Sequence, residues 1–105
     1  MISMDKAAAL EIARLYAGEV IKEMSPDKVL LFGSYANGSA RDESDIDIAV
    51  IFDGLKGDWF QACTRLSSLT WNVSTHIEPV LLDSGDDESG FVEEVLRTGE
   101  VVYQQ

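Results

Sequence analysis

The chain has 105 residues, with 19 acidic against 8 basic side chains and a formal charge of -11. A chain of this length hides well over half of its unfolded surface in one core, so residues 1–105 are expected to form a single domain. The charge excludes broad binding to nucleic-acid backbones, which depends on clustered Lys and Arg.

The first element expected along the chain is a helix over residues 4–24. Its apolar positions Ala8, Ile12, Leu15, Ala17 and Val20 recur near helical spacing, with Ser3 or Asp5 as cap and Ser25-Pro26 as stop. Because charge is interleaved through MISMDKAAALEIA, this start is neither an export signal nor a membrane span. Residues 28–32, KVLLF, read as a buried strand ended by Gly33. A polar connection leads to a second strand over 45–52, which Asp53-Gly54 turns. Asp58 can cap a helix running from 59 to about 71, with Trp59, Cys63 and Trp71 as packing residues.

A third strand is expected over 76–82, HIEPVLL, where Pro79 lacks an N–H and so suits a sheet edge. Residues 84–90 form a polar loop, 91–97 a short helix capped by Gly99, and 101–103 a last strand. His76 stands without a Cys or second His, which argues against a ligand or base role. A lone cysteine excludes an internal disulfide and fits a reducing compartment, so the protein is expected to be cytoplasmic, with no membrane partner. This order predicts an α/β fold: a small mixed β-sheet of about four strands with helices packed on it.

The most informative stretch is LLFGSYANGSARDESDIDIAVIF. Gly33 and Gly38 have P-loop spacing, but Ser39-Ala40 follows where that motif needs Lys and then Ser or Thr. What remains is Gly33-Ser34, ten residues, then Asp45-Ile46-Asp47. The strand period of two puts both aspartates on one face, with Cα atoms about 6.5–7 Å apart. A D-x-D alone also describes a solvated strand end; the glycine-serine turn and a strand on each side favour a site. Paired like charges are relieved by a cation, by protonation or by water, and magnesium suits the first, since it takes a few carboxylate oxygens and leaves room for water and phosphates. Gly33 would let the backbone approach a triphosphate, and Ser34 would donate to it from its amide and hydroxyl.

The run FGSYANGSARDESDIDIAV resembles the G-S, ten residues, D-x-D signature of the minimal nucleotidyltransferases in the DNA polymerase beta-like superfamily. Its flanks are similar too, with Gly38 in the connection and Arg41 and Ser44 before the first aspartate. HIEPVLL and FVEEVLRTGEVVY are more weakly similar to the family's next strand and closing helix and strand. The resemblance implies a nucleotidyltransferase-like fold and transfer of a nucleoside monophosphate, AMP from ATP, to an acceptor hydroxyl with release of pyrophosphate. It implies Gly33 and Ser34 as the triphosphate turn, with Arg41 and Ser44 also on the nucleotide. Asp45 and Asp47 become catalytic metal ligands, and Glu78 the third carboxylate at a site for one or two Mg2+ ions. Two departures stand out: Glu78 is Glu where many relatives have Asp, and Asn37 stands where relatives often carry a basic residue. For Arg41 the competing reading is an ion pair with Asp42 on a surface loop.

Minimal members of that family resemble the antitoxin half of two-protein modules, in which they adenylylate a tyrosine of a HEPN-type helical ribonuclease. The expected partner is therefore a HEPN-type helical protein, or a second copy through self-association. An antibiotic-modifying nucleotidyltransferase would usually carry an added helical domain, which the sequence does not contain. The non-enzymatic alternative is a binding module whose acidic face masks a basic partner.

Overall fold

The computed structural model describes residues 4–41 and 44–105. Helix α1 (Lys6–Glu23) starts where the Asp5 carboxylate accepts from the Ala8 amide at 2.8 Å, and it ends at Met24 in extended backbone. The alternative cap, Ser3, lies outside the described residues. The buried stripe of α1 is Ala9, Ala13, Tyr16, Ala17 and Val20, whereas Ala8 and Leu15 of the expected stripe are exposed. Near its start the helix is thus turned by one residue, about 100°. The reason is Tyr16: its hydroxyl donates to the Leu66 carbonyl at 2.6 Å, so a side chain with a polar tip can be fully buried. Burial also pushes the Tyr16 phenol far above its ordinary pKa, which keeps it neutral and donating.

Four strands follow: β1 (Lys28–Phe32), β2 (Ile46–Phe52), β3 (Ile77–Asp83) and β4 (Glu100–Gln104). They lie in the order β3-β2-β1-β4, with β1 antiparallel to both β2 and β4, and β2 parallel to β3. The parallel pair needs a crossover, which α3 (Trp59–Leu69) and a 3-10 turn at Thr70–Asn72 provide. Between β1 and β2 lies a short helix, α2 (Ser34–Asn37), and α4 (Phe91–Thr98) precedes β4.

Both faces of the sheet are covered. Val29, Leu31, Ile48 and Val50 pack with α1 and with Leu66 and Leu69 of α3. Leu30, Ala49 and Ile51 pack with Val92 and Val95 of α4 on the opposite face. Two-sided burial explains why β1 and β2 read as apolar runs rather than alternations, and each fully buried Leu or Ile contributes about 1.5–3 kcal/mol. Pro79 sits on edge strand β3, as its missing donor requires. The loop before α4 supplies its cap, since the Asp87 carboxylate accepts from the Val92 and Glu93 amides. Among the described residues no helix is long and apolar enough to cross a membrane.

The tryptophans correct the expectation drawn from helical spacing. Trp59 is 47% and Trp71 79% exposed, while Cys63 is half-buried against the core. Trp71 falls in the 3-10 turn two residues past Leu69, and at about 100° per residue even a continued α-helix would turn it away from the buried Leu66 and Leu69.

Candidate functional site

The glycine-serine turn is built from both ends of a very short helix. Gly33 has φ 71°, a region that L side chains rarely adopt, and a Cβ there would collide with the Asp47 carboxylate. Two independent constraints therefore call for glycine. The Ala36 and Asn37 amides both donate to the Gly33 carbonyl at 3.1 Å, and Gly38, left-handed at φ 82°, closes the turn. Tyr35 is buried and fastens α2 to the core. The sequence reads as a polar connection here because a four-residue helix offers no period to detect.

Asn37 is occupied locally, its side-chain oxygen accepting from the Ser39 amide and hydroxyl at 3.0 and 2.6 Å. Ser34 enters none of these turn-closing bonds through its hydroxyl. Ser44 ties off the far side of the connection: its Oγ accepts from the Arg41 amide at 2.8 Å, and its own amide donates to the Arg41 carbonyl at 2.9 Å. Its hydroxyl proton remains free to donate elsewhere. Arg41 is exposed, and its suggested pairing with Asp42 lies outside the described residues.

The sheet register assembles the carboxylates. Asp47 is the β2 partner of Glu78 in the parallel β2–β3 ladder, and the Ile46 amide donates to the His76 carbonyl at 2.9 Å, locking the two strand starts together. Asp45 is exposed just ahead of β2, while Asp47 is half-buried behind it. Burial, then the charges of Glu78 and Asp45, push the Asp47 carboxyl above its ordinary pKa. Asp47 is thus within electrostatic reach of both Asp45 and Glu78. None of the ion pairs among the described residues draws on them.

Among the described residues no three His, Cys, Asp or Glu side chains close a chelate by themselves. An oxygen-only, mutually repelling and open donor set is nevertheless the kind that magnesium takes when water and phosphate oxygens complete its shell. Clefts also lie away from the carboxylates. One, lined by Glu23, Asp27, Phe52, Leu55 and Gln105, sits at the opposite end of β2 from the aspartates and holds neither the turn nor the carboxylates.

One neighbour of the site was not anticipated. Phe32, paired with Asp47 across the β1–β2 ladder, meets Phe91 of α4 edge-on, with ring centroids 5.9 Å apart and planes at 80°. Sequence spacing links Phe32 to Gly33 but carries no signal that joins it to a residue 59 positions later.

Known structures share this architecture. A protein assigned as a nucleotidyltransferase from Sulfolobus solfataricus is similar with a TM-score of 0.71 at 24% identity, over 95% of this chain and 84% of that one. A toxin-antitoxin crystallised with AMP-PNP gives a TM-score of 0.63 at 23% identity, over 88% and 73%. A mutant form of the toxin-antitoxin MntA-HpeT gives 0.50 at 18% identity, over 97% and 75%. At such identities these likenesses establish the fold. No curated protein matches the sequence. The sequence pattern described as polymerase beta, nucleotidyltransferase matches residues 18–105, which span the turn, the D-x-D strand and everything after them. Fold and sequence pattern agree, and the chain belongs to the polymerase beta nucleotidyltransferase family.

Proposed function

We propose that this protein transfers AMP from ATP to an acceptor hydroxyl, using magnesium, and that the acceptor belongs to a partner protein. The observation that carries this reading is the placement of Asp47 between Asp45 and Glu78, none of them ion-paired among the described residues, against a glycine that admits no side chain. Gly33 and Ser34 cradle the phosphates, Arg41 supplies positive charge beside them, and the Ser44 hydroxyl donates to them. Asp45 and Asp47 would hold one Mg2+, and Glu78 would share a second. A magnesium ion bound there neutralises phosphate charge and favours ionisation of the attacking hydroxyl.

The acceptor oxygen forms a bond to the α-phosphorus, and the bond from that phosphorus to the bridging oxygen breaks. Pyrophosphate leaves with the bonding pair, and the acceptor proton passes to Glu78 or to water. The side chains act chiefly by positioning and by charge complementarity.

That the acceptor is a protein is supported by the two similar toxin-antitoxin structures, one of them holding AMP-PNP. That likeness supports an antitoxin role for this chain, and the sequence resemblance alone implies a HEPN-type helical toxin as its partner. A second reading, in which the domain neutralises its partner by covering it, is favoured by Phe60 and Trp71, 77% and 79% exposed on the outer side of the α3 segment. Incubation of the co-purified partner with magnesium and α-labelled ATP separates the two. Label on the partner, lost with Asp45→Asn while the complex persists, is the expected result; neutralisation by an Asp45→Asn protein as complete as that by wild type would leave only masking.

A further inference from the structure

We infer that the Phe32–Phe91 ring pair is the shelf for the nucleobase, with Phe91 the residue that sets how much the base adds to nucleotide affinity. The inference rests on the nucleotidyltransferase reading of the carboxylate site and extends it to a part of the ligand that no carboxylate or glycine can hold.

Three placements converge on it. Residues directly opposite one another in an antiparallel ladder project from the same face, so the Phe32 ring stands beside the Asp47 carboxylate. Phe32 also immediately precedes Gly33, whose Cα lies against that same carboxylate. A nucleotide with phosphates on the turn and its α-phosphate at the aspartates has only its ribose between that point and an aromatic surface. Phe91 then enlarges the surface from the other side, packing edge-to-face on Phe32 from the first position of α4.

The burial pattern of α4 separates Phe91 from the packing residues. Val92 and Val95 fill the contact with Leu30, Ala49 and Ile51, while Phe91 is 41% exposed and outside that cluster. Of the other exposed aromatics, Phe60 and Trp71 belong to the α3 segment, which packs on the opposite sheet face from Asp47's neighbours Phe32 and Ala49, and Trp59, 47% exposed at the start of α3, shares a cleft with Phe91, Leu81, Asp83 and Asp87 that holds neither the glycine-serine turn nor Asp45 and Asp47. Among the described residues Phe91 is the exposed ring that stacks on Phe32, the residue paired with Asp47. An aromatic shelf reads the flat face of a base rather than its edge, so it favours large purines without strict discrimination among them.

The test compares two magnesium-bound ligands by calorimetry, a nonhydrolysable ATP analogue and inorganic tripolyphosphate, which has the phosphates and no base. Wild type should bind both. Phe91→Ala should weaken the ATP analogue about five- to a hundredfold, the range of a lost base stack, and leave tripolyphosphate unchanged. Phe91→Leu should behave like Phe91→Ala, and Phe91→Tyr like wild type, which distinguishes loss of a ring from loss of apolar packing; thermal melts of the same proteins establish that each is folded. Equal weakening of both ligands, or no weakening of either, would overturn the shelf while leaving the nucleotidyltransferase reading in place. Failure of wild type to bind either ligand would overturn both.

Discussion

Asp47 and Asp83 are both aspartates in this sheet, one near the start of β2 and one at the end of β3, and they are treated in opposite ways. Asp83 accepts three backbone hydrogen bonds, from Gly54 and Gly85 at Oδ1 and from Leu55 at Oδ2, and these hold its carboxyl below the ordinary range. Asp47 is held above that range by burial and by two neighbouring carboxylates. A carboxylate whose charge is answered by amides is joining two loops. One whose charge is left standing beside others is the kind that a bound cation would answer, and perturbed groups of that kind concentrate at functional sites.

The sharpest way to break the comparison is at Gly33, where the turn and Asp47 meet. Gly33→Val places a branched side chain at φ 71° and drives it into the Asp47 carboxylate. Strain of this kind costs about 1–3 kcal/mol, and displacement of Asp47 should abolish magnesium-dependent binding of the ATP analogue. Melting and calorimetry on one sample would check both. A variant that binds the analogue normally would show that the close approach of Gly33 to Asp47 has no bearing on the site.

Next in size is Asp47→Asn, which should separate function from stability. Removing a half-buried charge repelled by Glu78 and Asp45 relieves an unfavourable term, so the variant should melt at or above the wild-type temperature while losing magnesium-dependent nucleotide binding. A clear drop in melting temperature would mean that Asp47 supports the fold, and the contrast with Asp83 would collapse.

Much of this contrast was legible in the sequence, and its limits have physical causes. The glycine-serine turn and the D-x-D strand could be read because strand period and fixed spacing are local properties, whereas Glu78 was reached only through the family resemblance; the order of helices and strands followed from the same periodicities. The pairing of Asp47 with Glu78 could not, because it depends on a β2–β3 register set by a crossover through α3. The rotation of α1 depends on a carbonyl fifty residues from Tyr16. Phe32 and Phe91 share one reason with Asp83: each acquires its role from a neighbour that is distant in the chain. What sequence misses here is chiefly the identity of long-range partners.

The smallest effect is expected from Asp83→Asn, because a half-buried carboxylate at the end of an edge strand is still well screened by water. It is also the most diagnostic in its pH dependence. With a folded pKa below the unfolded one, Asp83 contributes stability that is fully present above the ordinary carboxylate pKa of about 3.9 and is lost as pH falls through the lower folded value. The amide replacement keeps one acceptor oxygen and turns the other into a donor facing either the Leu55 amide or the Gly54 and Gly85 amides. At neutral pH the variant should therefore melt below wild type, and the gap should narrow in acid as wild-type Asp83 takes up its proton. Nucleotide binding should not change, since Asp83 stands at the opposite end of β3 from Glu78. Melting curves of both proteins from neutral pH into acid measure the gap directly. A gap of constant size across that range would show that the Asp83 charge contributes nothing beyond shape, and the distinction between an answered and an unanswered carboxylate would then rest on Asp47 alone.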